Sequence, residues 1–213
     1  MTFEELIAKC KDCNRCRLRK NATQVVPGDG YPEADVMFIG EGPGANEDKE
    51  GIPFCGAAGR FLDQLLESIG VNRGDVYITN MVKCRPPGNR DPQEDEMTAC
   101  RPWLDKQIEL INPKVFVLLG RFAMGKFFPN LKISKVHGKS FRKGGKLYFI
   151  MYHPAVALYN ESFKKVMMED MKELDKILHG KEGEFEVMDS EASEIRKLMK
   201  RKKSKKAQLG MGL

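Results

Sequence analysis

The sequence has no apolar run approaching the roughly 20 residues needed to span a bilayer. Its first residues, Met1-Thr2-Phe3-Glu4-Glu5, lack the pattern of a secretion signal. A soluble cytoplasmic protein without membrane contact is the expectation. There is no GxxxxGK[ST] stretch either, which argues against an ordinary nucleoside-triphosphate site. With no secretion signal, a disulfide framework is the weaker reading of the cysteines at 10, 13, 16, 55, 84 and 100. Nor does one charge dominate. Residues 1–180 hold 27 Lys/Arg and 24 Asp/Glu, residues 181–213 hold 9 and 6, and the net +6 divides evenly between them. An excess of this size permits nucleic-acid binding without demonstrating it. Abundant Lys and Glu suit a thermophile.

The 213 residues are enough for one globular core with an appendage. Four short, near-continuously apolar segments, 35–40, 75–82, 114–120 and 146–152, read as strands buried on both faces. Helical patterns at 59–69, 95–111, 122–128 and 163–178 alternate with them, and 3–20 reads as a helix interrupted by cysteines. This alternation predicts an α/β fold, a three-layer αβα sandwich around a central four-stranded, mainly parallel sheet. Residues 1–180 form the predicted domain and 181–213 a charged, flexible extension, with eight Lys/Arg and no acid between 196 and 206. That basic run can add nonspecific phosphate affinity or be a solvated terminus.

Three strand ends carry chemistry. The strand at 36–39 runs into Gly40-Glu41-Gly42-Pro43-Gly44, a layout that aims backbone N–H groups at a ligand. Glu41, Glu47, Asp48 and Glu50 stand there against Lys49 alone, so the ligand is neutral or becomes positive during a reaction. Asn80 and His153 end two further strands, and Phe54 follows the first loop. Singly, these have duller readings: a turn amide, a polar core residue before a proline, a core aromatic. Jointly, an acid, an amide, an aromatic and an imidazole form a pocket for a flat heterocycle, stacked on Phe and read along its edge. Cys13-Asn14-Arg15-Cys16 is a C-x-x-C chelate, and Cys84 and Cys100 bracket a Pro/Gly-rich loop. Spacing alone leaves zinc, an iron–sulfur cluster and free thiols open, and Cys10 remains a possible ligand.

G-E-G-P-G-x-x-E-D at 40–48, P-F-C-G at 53–56, I-T-N-x-V-K-C-R-P-P at 78–87 and H-P-A at 153–155, together with these cysteines, resemble the family 4 uracil-DNA glycosylases over about residues 5–179. The resemblance implies a uracil-DNA glycosylase-like fold and base excision repair of uracil-containing DNA, single- or double-stranded, by hydrolysis of the N-glycosidic bond. It implies a 4Fe-4S cluster on Cys13, Cys16, Cys84 and Cys100, leaving Cys10 and Cys55 outside. Phe54 would stack on an extruded uracil, Asn80 would read its edge, and backbone around Gly42 would hold it. His153 would stabilise the departing uracil anion, and Glu41 the positive sugar or a water. Glu47 would shape the pocket against thymine's methyl group. Pro87, Asn89 and Arg90 would approach the DNA backbone, and Ala157, Leu158 or Tyr159 would fill the vacated stack.

Where family 1 enzymes carry an acidic residue beside the loop proline and an aromatic after it, this chain has Gly42 and Gly44, so that water-activating carboxylate is not inherited. A covalently trapping relative carries a reactive histidine after its P-F motif, and 55–60 has none, which favours turnover. Two alternatives stand: a noncatalytic zinc-containing nucleic-acid-binding protein, and a glycosylase for another damaged base. The segment 208–213 weakly resembles a sliding-clamp-binding box without its final aromatic pair. A monomer is expected.

Overall fold

The computed structural model describes residues 1–179 and 186–187. In chain order the helices are α1 (Phe3–Lys11), α2 (Leu18–Asn21), α3 (Ala45–Glu50), α4 (Ala57–Glu67), α5 (Glu94–Ile111), α6 (Arg121–Phe127), α7 (Ile133–Val136), α8 (Val156–Tyr159) and α9 (Ser162–Leu178). The strands are β1 (Asp29–Gly30), β2 (Val36–Gly40), β3 (Tyr77–Asn80), β4 (Val115–Leu119), β5 (Ser140–Lys143), β6 (Lys146–Met151) and β7 (Glu186–Val187). All four predicted strand segments are extended, as β2, β3, β4 and β6, and they pair in parallel in the order β3-β2-β4-β6.

The near-continuous apolar runs follow from burial on both faces. Met37 and Ile39 of β2, Phe116 and Leu118 of β4 and Tyr148 and Ile150 of β6 pack on one side, with Leu104 and Ile111 of α5 and Met124 of α6. Phe38, Val117, Leu119, Phe149 and Met151 point the other way, onto Leu62 and Leu65 of α4 and Met167, Met171 and Leu174 of α9. These are the three layers of the αβα sandwich.

The sheet is larger than the four strands expected. It is a mixed sheet, β1-β3-β2-β4-β6-β5-β7, with β1 antiparallel to β3, β5 antiparallel to β6, and β7 parallel to β5. The β5–β6 connection is a hairpin in which Gly144 and Gly145 both adopt positive φ, 56° and 74°. A two-residue Gly-Gly turn suits such a hairpin because both positions need the left-handed region. Glu186 and Val187, within the segment read as an extension, thus pair with β5. The basic run at 196–206 and the clamp-box sequence lie outside the described residues. Among the described residues no helix is long and apolar enough to cross a membrane.

The strand order matters for function. From β2 the chain moves to β3 on one side and later to β4 on the other, so the connections diverge at the carboxyl end of β2. Open α/β sheets bind ligands at such a switch point.

Candidate active site and cysteine site

A cavity of about 320 Å³ opens at the carboxyl edge of the sheet, lined by Glu41, Gly42, Glu47, Phe54, Asn80 and His153, with Asn89, Arg90 and Tyr159 also on its wall. The structure therefore gathers every residue expected to touch a heterocycle. Gly40 lets them converge: a Cβ there would sit 2.4 Å from Asn80 Oδ1 and 2.6 Å from the Phe54 ring. Gly42 lies against Val82, whose Cγ2 would be 2.8 Å from an added Cβ, so the loop is pressed onto the segment after β3.

Phe54 is buried, with a left-handed backbone at φ 52°, unusual for a bulky residue. Its ring centroid lies 5.4 Å from that of His153, the planes inclined by 30°. Asn80 is 1% exposed, and its Oδ1 is, among the described residues, the buried side-chain polar atom left without a hydrogen-bond partner. Such an atom carries the desolvation cost of a missing bond, which a ligand donor would relieve.

His153 Nδ1 accepts a hydrogen bond from the Ala155 N–H at 3.2 Å, which assigns the ring proton to Nε2. Burial pulls its pKa down to about 4, so near neutral pH the imidazole is an uncharged donor. Glu41 is the opposite case. Burial, reinforced by the Asp91 charge and opposed by Arg121, lifts its carboxyl to about 7. Arg121, its opposing cation, is itself ion-paired with Asp91.

Glu47 lines the pocket but is occupied. Its two oxygens accept the Gly44 N–H at 3.1 Å and the Gly56 N–H at 2.8 Å, tying the start of α3 to the start of α4. The carboxylate thus satisfies helix-terminal donors from within the chain. Next to it, buried Asp48 accepts from the Thr23 N–H and hydroxyl, fixing the segment after α2.

Around the mouth, Pro87 and Asn89 are exposed on a 3₁₀ turn, Pro87–Asn89, in which Gly88 and Asn89 both have positive φ. Arg90 is more constrained than expected. Its guanidinium is held bidentately by Glu96, at 2.6 and 2.9 Å, which limits its reach toward a phosphate. Glu96 also accepts from Arg17 Nε at 2.9 Å and the Gln93 N–H at 2.8 Å. Its carboxyl is held down to about 2, chiefly by Arg90. Ala157 is corrected: α8 turns it into the core, 2% exposed, so it offers nothing to DNA. Leu158 and Tyr159 are exposed instead, 48% and 92%.

Sequence reading gave no role to Glu96 or the buried Lys83, and took Asp48 for an acid facing the ligand, whereas it is buried against Thr23. Glu96, at the third position of α5, accepts the Gln93 N–H, one half of a capping box, and a glutamate there was a usable signal for the first. Lys83 and Asp48 gave none, since their partners come from turns and distant segments.

Cys13, Cys16, Cys84 and Cys100 line one small, apolar cavity. The first two come from the loop after α1, Cys84 from the segment after β3 and Cys100 from α5. Two donors already face sulfur: the Trp103 indole N–H on Cys13 at 3.0 Å and the Lys83 main-chain N–H on Cys100 at 3.2 Å. Burial raises the thiols of Cys84, to about 12, and Cys100, to about 11. Among the described residues no group of three or more His, Cys, Asp or Glu is arranged to hold a metal ion. The donor set still suits a soft metal centre, because four thiols from three segments converge on one cavity and two N–H groups stand ready for thiolate charge. Cys10 is buried beside them but does not line that cavity, and Cys55 lies by the α4 start.

Residues 27–174 match the family model described as the uracil DNA glycosylase superfamily. The chain is 48% identical over 183 residues to the type-4 uracil-DNA glycosylase of Sulfurisphaera tokodaii, covering 81% of this chain and 83% of that protein. It is 49% identical over 185 residues to the enzyme of the same name from Saccharolobus solfataricus, covering 82% and 84%. To that from Archaeoglobus fulgidus it is 42% identical over 186 residues, covering 83% and 93%.

Proposed function

Because the chain belongs to the uracil-DNA glycosylase superfamily, we propose that it releases uracil from DNA by hydrolysing the N-glycosidic bond, the opening step of base excision repair. The unpaired Asn80 Oδ1 beside a neutral imidazole donor is the observation that carries this reading. An extruded uracil stacks on Phe54, its N3–H bonds Asn80 Oδ1, and the Asn80 amide N–H₂ donates to O4. Cytosine presents the reverse pattern and leaves a buried amide mismatched, which makes rejection strong.

As the bond breaks, charge grows on the uracil oxygen nearest the sugar. His153 Nε2–H donates to it, an interaction that strengthens only as the reaction proceeds. Being neutral beforehand, His153 needs no counter-ion in the ground state. Glu41 faces the sugar, where its ionised form stabilises developing positive charge or orients the attacking water. Glu47 acts by holding the α3 and α4 starts at a fixed separation, which sets the room beside C5 that a thymine methyl would need.

Cys13, Cys16, Cys84 and Cys100 would hold a 4Fe-4S cluster, whose contribution when bound is structural, joining the loop after α1 to α5 and to the segment after β3. Pro87 and Asn89 approach the DNA backbone. Tyr159, the most exposed large side chain at the pocket mouth, enters the stack left by the flipped base, with Leu158 beside it. We read the protein as a cytoplasmic monomer. The noncatalytic zinc-protein alternative is not favoured by the catalytic names of its relatives.

The test uses matched oligonucleotides containing uracil, thymine or hypoxanthine, with alkali to cleave abasic sites. Scission of the uracil strand is expected and thymine should be spared. Intact uracil strands would overturn the reading, and faster cleavage at hypoxanthine would move it to another lesion.

A further inference from the structure

A buried lysine that does not line the pocket stands between it and the cysteines. Lys83 is 1% exposed, and its ammonium donates to the Asn80 carbonyl at 2.8 Å and to Thr79 Oγ1 at 2.6 Å. Its main chain is anchored at both ends: the N–H donates to Cys100 Sγ at 3.2 Å, and the carbonyl accepts from the Val26 N–H at 2.7 Å. The Thr79 hydroxyl donates to the Pro27 carbonyl at 2.7 Å, and Gln107 Nε2–H donates to that same carbonyl at 2.9 Å and to Tyr77 Oη at 3.0 Å. The strand end that presents Asn80 is thus held from behind by a buried polar chain.

Burying an ammonium is costly unless its donors are well used, and such bonds are strong in an apolar interior. A purely structural plug would be served by a leucine or methionine. The donors instead go to the last two residues of β3, one of which is the residue whose side-chain acceptor lies unpaired at the cavity.

We propose that Lys83 is a positioning residue for uracil recognition, fixing the Asn80 main chain so that its side-chain amide stands in register with the uracil edge. The inference rests on the uracil reading above. It assigns Lys83 to recognition of the base and not to bond cleavage, and it ties the set of that amide to the segment that also carries Cys84.

The test compares the full-length parent with Lys83→Met, which keeps the stem and removes the donors, and with Thr79→Val, which removes one of the two acceptors. Iron per chain, thermal midpoint, kcat, KM for a uracil oligonucleotide and inhibition by free uracil are read for each. With iron content retained, Lys83→Met should weaken free-uracil inhibition and raise KM by about tenfold or more, as for loss of a charge-assisted bond. Thr79→Val should shift both in the same direction, by about threefold. Should Lys83→Met fail to fold, Thr79→Val carries the comparison alone. Folded, iron-containing variants with unchanged free-uracil inhibition would overturn the proposal, as would a loss confined to kcat. A parent that releases no uracil would overturn the function itself, a separate outcome.

Discussion

Two glutamates near one edge of the sheet, Glu41 in the pocket and Glu96 at the start of α5, end with opposite protonation tendencies. Glu41 meets burial and the Asp91 charge, with Arg121 as its opposing cation, and rises to about 7. Glu96 is shielded fully but receives Arg90, Arg17 and the Gln93 N–H, and falls to about 2. Burial alone therefore does not set a carboxyl's charge; the donors brought with it do. In the joint between the loop after α1 and α5, the donors all go to Glu96, whereas the pocket leaves Asn80 Oδ1 without a partner beside Glu41 and His153.

If that contrast is right, substitutions in the pocket should cost turnover and those in the joint should cost stability. The largest effect is expected for His153→Ala, a fall in kcat of about 10²–10³-fold, as for loss of one oxyanion donor, with an unchanged thermal midpoint. Glu41→Gln should slow uracil release about tenfold while DNA binding persists, as for loss of a weaker charge-stabilising contact. Its pH profile is the sharper readout. The parent's carboxylate forms as pH climbs through about 7, so the parent rate should rise there, and the variant should lose that rising limb. Single-turnover rates at pH 5–9 check both statements.

Glu96→Gln should leave turnover nearly intact but lower stability by about 2 kcal/mol, the scale of hydrogen bonds to a charged group. In a domain of this size that is a drop of about 4–8 °C in melting temperature. Its folded pKa lies below the ordinary 4.5, so its stabilisation is complete above 4.5 and is lost as pH falls toward about 2. Acid titrations of parent and variant should accordingly converge at low pH. The smallest effect is expected for Tyr159→Ala, a several-fold loss on duplex with little change on single strands, where no stack has to be refilled. Equal losses on both substrates would remove Tyr159 from base extrusion.

The sheet and most of the pocket were legible because their signals are local. Strands buried on two faces must be continuously apolar, and the residues that line the pocket lie at or just beyond their carboxyl ends, so Glu41, Asn80 and His153 could be named by position. Partnership was not legible. Glu47 looks like any acid of the loop until the backbone brings Gly44 and Gly56 to its two oxygens. Arg90 reads as a phosphate ligand until Glu96 holds it. Ala157 reads as a loop residue because α8, of four residues, is too short to announce a periodicity. The Gly144-Gly145 pair did announce the β5–β6 hairpin, and that signal went unused.

The account turns on one atom, the unpaired Asn80 Oδ1, taken to receive the N3–H of uracil. Inhibition of uracil release by free uracil, by 3-methyluracil and by cytosine tests that directly. Uracil should inhibit, while 3-methyluracil, which has no N3–H, and cytosine, which offers an acceptor there, should not. Equal inhibition by uracil and 3-methyluracil would contradict the account.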